Sequence, residues 1–277
     1  MAFDNLIRKS TASGSFYPAD PDALTKQIDG FMDNAESLGL QNIKAIISPH
    51  AGYVYSGQIA AYSFKQVAGI KYDSILIIAP SHAEYFDYAS VYHGDAYETP
   101  LGLVKIDKDR ANALAQSSPL IQQSAYGHHD EHSLEVQLPF LQVVFGKDIS
   151  IVPVVIGNQS RENIKELGTI AGELFSSDNI LVIASTDLSH FHPYEAALGL
   201  DDIVSGLIGS YDTDGLMEEF IADKAEMCGG GPVVAAMMIS AAMGADSSKI
   251  IKYANSGDVS GDRSSVVGYL SAAFYKK

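Results

Sequence analysis

The chain is 277 residues long, 47% hydrophobic and 19% charged, an ordinary globular composition that supplies a sizeable core and argues against disorder. Eighteen basic against 34 acidic side chains leave a net charge of −16, which opposes phosphate backbones and anionic membranes and so speaks against nucleic acid and membrane surfaces as partners. A single cysteine, Cys228, excludes an internal disulfide and an all-cysteine zinc site, and it fits a reducing compartment.

The first ten residues, MAFDNLIRKS, mix charge early and hold no continuous apolar run, so neither signal peptide nor membrane anchor is expected and the cytoplasm is the expected location. Asp20 and Pro21 start a helix whose Leu24, Ile28, Phe31 and Met32 share one face. Ile43 to Ser48 reads as a buried strand, followed by a loop through Pro49, His50, Ala51 and Gly52 and a helix from Gly57 to Val67. The unit recurs at Ser74 to Ala79, a strand that ends in Pro80, Ser81 and His82. Glu131 to Phe145 reads as a helix that Pro139 should kink or split, since proline lacks the amide donor. A strand at Ile149 to Ile156, a helix at Arg161 to Phe175 and a strand at Ile180 to Ser185 follow, the last leading into Thr186, Asp187, Leu188, Ser189 and His190. Helical stretches near Glu195 to Ile208 and Gly215 to Ala222 precede the Gly-rich segment Cys228 to Gly231, which opens a small-residue helix through Pro232 to Ala245. Strands near Ile250 to Asn255 and Ser265 to Phe274 close the chain. This alternation predicts one α/β domain over residues 1–277, with a mainly parallel or mixed sheet flanked by helices on both faces and ligands at the carboxyl ends of its strands. A homodimer is compatible with these features.

His50, His82 and the pair Asp187/His190 each follow a predicted buried strand, so a parallel arrangement gathers them at one edge. One such histidine is ordinarily a hydrogen-bonded structural residue; three at equivalent positions favour a shared site. A divalent metal is the natural occupant, because neutral imidazoles ligate iron, copper and zinc. The third ligand is open between Asp187 and Cys228, and the bland reading of Cys228 is a small buried hydrophobe. The run from His128 to Glu135 is the densest cluster of titratable residues. With a helix starting near Asp130, His132 and Glu135 share a face as proton donor and orienting partner; the bland reading is a solvated helix start. His93, His128 and His129 read as surface residues, and His192 has no assigned role. Phosphate-loop, dinucleotide, nucleophile-elbow and helical HExxH motifs are absent from the sequence. Ser256 to Asp262 reads as a tight turn.

The segments SGSFYP (13–18), SPHAGYVYSG (48–57), APSH (79–82), DEHSLEVQLPF (130–140) and STDLSH (185–190), with Gly268 and Tyr269, together resemble the Memo family in the expected order from about residue 8 onward. Its prokaryotic members are also called AmmeMemoRadiSam system protein B. The resemblance implies a fold like that of the class III extradiol dioxygenases, non-haem iron enzymes that open catechol rings. It implies that His50 and His82 are the metal histidines and that Cys228 stands where true dioxygenases carry a glutamate ligand. His190 resembles the acid-base histidine of ring-cleaving relatives, and His132 resembles a second pocket histidine. A thiolate in place of a carboxylate changes the donor strength and redox potential of iron.

The leading functional expectation is a metal-dependent redox protein in which His50, His82 and Cys228 hold Fe(II), with copper or zinc as alternatives, and Asp187, His190, His132 and Glu135 line the pocket. Its substrate would be an unassigned small molecule or peptide. The second is a non-catalytic adaptor that binds a peptide or protein in the same cleft, with Tyr53, Tyr55, Tyr85, Phe86 and Tyr88 as aromatic walls. The third is a zinc hydrolase in which Glu135 or His190 accepts a proton from metal-bound water. Family association adds an AMMECR-type protein and a radical-SAM protein as expected partners.

Overall fold

The apolar runs that read as strands become the centre of the sheet in the computed structural model, which describes residues 6–277. Residues 1–5, on which part of the expectation of no leader rests, lie outside the described residues. The chain forms β1 (Ile7–Arg8), α1 (Pro21–Asn34), β2 (Ile43–Ser48), α2 (Tyr53–Val67) and β3 (Ser74–Pro80). Then come β4 (Ala89–Tyr92), β5 (Ala96–Thr99), β6 (Gly102–Ile106), α3 (Lys108–Ala115) and β7 (Ile121–Ser124). A short 3-10 turn at Glu135–Gln137 leads to α4 (Leu138–Phe145), β8 (Ser150–Ile156), α5 (Arg161–Phe175) and β9 (Ile180–Ser185). The chain continues with β10 (His190–His192), α6 (Tyr194–Gly209), α7 (Thr213–Ile221), α8 (Gly230–Ala242), β11 (Ser247–Asn255), α9 (Ser256–Ser260) and β12 (Val266–Tyr275).

The described residues form one twelve-stranded mixed sheet whose main path runs β1-β5-β6-β8-β3-β9-β2-β12-β10. Strands β8, β3, β9 and β2 are mutually parallel, while β12 runs antiparallel to β2, β10 and β11. Helices flank the sheet, α2 on β2 and β12, α8 on β9, β3 and β2, with α5 packed against α8. Nearly every side chain of β2, β3 and β9 is buried, which is why these strands read as continuous apolar runs instead of alternating ones. Ser48 pairs with Ser185 and Ile78 with Ala184, so the carboxyl ends of β2, β9 and β3 finish side by side. Among the described residues no helix is long and apolar enough to cross a membrane.

Three local expectations change. Pro139 falls in the first turn of α4, where its missing N–H is no loss, so it starts the helix instead of kinking it. Residues 131–134 are therefore not helical, and His132 and Glu135 do not share a helix face. Between His82 and Asp130, where no element is expected, the chain builds four short strands and α3. Ser256–Ser260 is a helical turn with a capping box between Asn255 and Asp258, ended by Gly261 in the left-handed region, instead of a plain tight turn.

Candidate metal centre

Because β2 and β3 end together, the loops that follow them carry His50 and His82 to one place, where their ring centroids lie 5.2 Å apart. The loop before α4 adds His132, stacked on His82 at 5.0 Å and edge-on to His50 at 5.6 Å. One nitrogen from each of the three rings falls within 4.8 Å of the others, a spacing that a single metal ion can bridge. Two of the rings are steered by a hydrogen bond at Nδ1, and the third has a carboxylate oxygen near its Nδ1. His50 Nδ1 lies 2.9 Å from Ser185 Oγ, and His82 Nδ1 lies 3.0 Å from Glu131 Oε1. His132 Nδ1 lies 3.4 Å from the same Glu131 oxygen. Supports of this kind leave Nε2 free to ligate.

Glu131 does more than hold rings. Its carboxylate also accepts the backbone N–H of His82, and that of Ser133 at 2.9 Å. Burial pushes its pKa up, but the bonds and charge from His82 and the Ser133 amide outweigh that and hold it well below the usual carboxylate range. His50 is fully buried, and desolvation, reinforced by the neighbouring His82 and His132, keeps its imidazole neutral. Burial likewise lowers His132, with Glu131 opposing and His82 assisting. A neutral imidazole is the form that binds a metal.

Cys228 arrives from the turn before α8. Its Sγ lies 3.1 Å from His50 Nε2 and accepts the Asp187 N–H at 3.2 Å. Burial, with the Asp187 charge second, pushes the thiol pKa far up, so without a cation beside it the sulfur keeps its proton. The turn is shaped by Gly229, whose amide donates to Thr186 Oγ1 at 2.9 Å; a Cβ there would sit 2.3 Å from the Ser185 carbonyl oxygen. Asp187 turns its carboxylate onto the His50 backbone N–H at 2.9 Å, and burial raises its pKa to about 7 against that bond and one from the Ala51 amide. Asp187 thus shapes the loop, and both it and Cys228 are outside the group of close donors, whose third member is His132. His190 is half-buried, its backbone N–H donating to Glu226 Oε1 at 2.8 Å; burial lowers its pKa, with Glu226 opposing and His82 assisting.

Glu135 faces away from the centre. Its two oxygens meet Arg8 Nη1, Ser10 Oγ, the Thr11 and Ala12 amides, Thr11 Oγ1 and Tyr17 OH, so it anchors the N-terminal segment and is not His132's partner. Glu131 has that place, and its sequence signals are its position inside the dense acidic and histidine run and within the segment DEHSLEVQLPF. Phe16 was another residue without a chemical signal; its ring stacks on His132 at 4.3 Å and covers the outer face of that imidazole. His128, expected on the surface, is buried, with Nε2 3.1 Å from the Ser90 carbonyl and Nδ1 against Tyr97 OH; His93 and His129 are exposed. His192 pairs with Glu226 at 2.7 Å. Of the expected aromatic walls, Tyr53 and Phe86 are buried, whereas Tyr55 and Tyr85 are exposed.

An α/β protein with a parallel sheet core and a polar histidine cluster at the carboxyl ends of its strands is the class that this geometry defines. Residues 8–273 match the family model described as Memo-like protein. The chain is 37% identical over 267 residues to a MEMO1 family protein of Methanosarcina barkeri, covering 96% of this chain and 98% of that protein. It is 40% identical over 279 residues to a MEMO1 family protein of Thermotoga neapolitana, with 96% and 99% covered. The chain belongs to the Memo family. An uncharacterized protein from Escherichia coli K12 of known structure shares the fold at a TM-score of 0.58 and 14% identity, over 83% of this chain and 99% of that one.

Proposed function

We propose that this Memo-family protein is a metal-dependent oxidoreductase of the non-haem type, with iron or copper held by His50, His82 and a third donor drawn from Cys228 or His132. The observation that carries this reading is the convergence of three imidazole nitrogens within 4.8 Å, with a thiol 3.1 Å from His50 Nε2. The donor chemistry fits: neutral imidazoles and a sulfur suit iron, copper and zinc and disfavour magnesium and calcium. Iron or copper bound there would supply Lewis acidity and one-electron chemistry, as in the ring-opening dioxygenases whose fold the Memo resemblance implies.

The chain's own groups perform the remaining tasks. Ser185 and Glu131 hold the rings in place. Phe16 shields the outer face of His132 from water. His190, kept neutral by its burial, is the group available to take a proton from a small-molecule substrate.

Anaerobic purification followed by elemental analysis tests this reading in the wild type and in His50→Ala, His82→Ala, His132→Ala and Cys228→Ala. Near-stoichiometric iron or copper that is lost with both His50 and His82 supports it, and the behaviour of the other two variants identifies the third donor. Zinc alone would favour hydrolytic chemistry. A metal-free protein that stays so on loading would shift the reading to an adaptor, for which exposed Tyr55 and Tyr85 supply aromatic surface.

A further inference from the structure

We propose that Ser185 is a positioning residue that fixes His50 as its Nδ1–H tautomer and thereby turns a bare Nε2 toward the centre. The argument is an inventory of protons. Ser185 Oγ is fully buried at the end of β9 and has three neighbours: the Ser133 carbonyl at 2.6 Å, Gln137 Nε2 at 2.8 Å and His50 Nδ1 at 2.9 Å. A hydroxyl has one proton and two lone pairs. The carbonyl can only accept, so the proton goes to Ser133. The amide nitrogen can only donate, so it takes one lone pair. The orientation of that amide is not arbitrary, because Gln137 Nε2 also donates to the Pro49 carbonyl at 3.0 Å, and a flipped amide would set oxygen against oxygen. One lone pair remains, and it faces His50 Nδ1, which must then be the protonated nitrogen.

The far side of the ring agrees. Cys228 Sγ accepts the Asp187 N–H, and of the acceptors within reach of its thiol hydrogen, the Asp187 carbonyl at 3.7 Å and His50 Nε2 at 3.1 Å among them, the bare Nε2 is the nearest. The same short segment governs the second ring as well, since Ser133 donates its N–H to Glu131, the carboxylate that holds His82 Nδ1. Residues 131–137 therefore set the donor faces of two histidines that reach the site from different strands.

The consequence for metal affinity rests on the metal-centre reading; the tautomer itself does not. The test is long-range nitrogen–proton correlation spectroscopy on metal-free, histidine-labelled protein, with His50→Gln for assignment, beside Co(II) titrations. Wild-type His50 is expected to show an unprotonated Nε2. Ser185→Ala is expected to populate the Nε2–H form and to weaken Co(II) by about 10- to 100-fold, whereas Ser185→Thr, which keeps the hydroxyl, restores both. An Nε2–H signal in the wild type, or a Ser185→Ala protein with unchanged tautomer and Co(II) affinity, overturns the proposal. Should the alanine variant fail to fold, the wild-type spectrum still decides it. A wild type that binds no Co(II) would overturn the metal reading, and His50's nitrogen signals would still decide the tautomer.

Discussion

Glu131 and Glu135 stand four residues apart in one acidic segment, both buried and both anionic, yet they serve different regions. Glu135 is neutralised by the guanidinium of Arg8 and closed off by hydroxyls and amides of residues 10–17. Every acceptor position is taken, nothing is left for a ligand, and the product is an anchored N-terminal segment. Among the described residues no arginine or lysine pairs with the Glu131 carboxylate. It is surrounded by imidazoles and loop amides, and its charge acts on the rings that form the centre. A carboxylate compensated by arginine is structural here, whereas one held among imidazoles and loop amides orients donors that keep a free nitrogen.

The largest expected effect falls on the arginine-compensated side. Arg8→Ala leaves the Glu135 charge unpaired and also removes donors to the His128 and Glu131 carbonyls, so it should cost about 3–5 kcal/mol. Urea denaturation measures this. Metal affinity of the protein that remains folded should change less than in Glu131→Gln. That second variant keeps the volume but not the charge, and Co(II) affinity should fall about 10- to 100-fold, with a stability loss of about 1–3 kcal/mol from imperfectly matched loop amides. If the two variants exchanged these profiles, the division between a structural and an orienting carboxylate would be broken.

How much of this is legible in the sequence depends on how far each contact reaches. The cores β2, β3 and β9 announce themselves as apolar runs, and their common ends predict that His50 and His82 meet. The strands between His82 and Asp130 are four or five residues long and, apart from the β5–β6 hairpin, pair with distant partners, so no period marks them. The choice between Glu131 and Glu135 is equally invisible, because it is made by Arg8, 127 residues from Glu135, and by the proline that moves the helix start past His132. Titratable density locates the segment; only tertiary contacts divide its labour.

Acid sensitivity sharpens the comparison further. His128, in the Arg8 region, is fully buried, and desolvation, with the Arg8 charge assisting and the Ser90 bond opposing, lowers its pKa to about 3. Above about pH 6.5 neither state carries the proton; between there and about 3 the unfolded chain takes up a proton that the folded one refuses. Stability should therefore fall with decreasing pH by up to about 1.4 kcal/mol per unit from this residue. Glu135, whose folded pKa is depressed, joins only below its unfolded value of 4.5, where its contribution is lost as pH falls through the folded pKa. Stability measured from pH 8 to 4 in the wild type and in His128→Gln should differ by one proton's slope below about 6.5. Equal slopes would mean that His128 is not held neutral.

The smallest effect tests the join between the regions. Phe16 belongs to the segment that Glu135 anchors, yet its ring lies on His132 at 4.3 Å, and His132 lies on His82 at 5.0 Å, a row of three stacked rings. Phe16→Leu keeps apolar bulk and removes the ring–ring term, about 0.5–1.5 kcal/mol. If the stack restrains His132, that loss should appear as roughly a twofold to tenfold drop in Co(II) affinity, with little change in the urea midpoint. In a His132→Ala background the same substitution should have no further effect on affinity, because its influence passes through that ring alone. An equal drop in both backgrounds would mean that Phe16 acts on the centre by another route, such as general packing of the N-terminal segment, and the anchored segment would then count as part of the site and not merely as its cover.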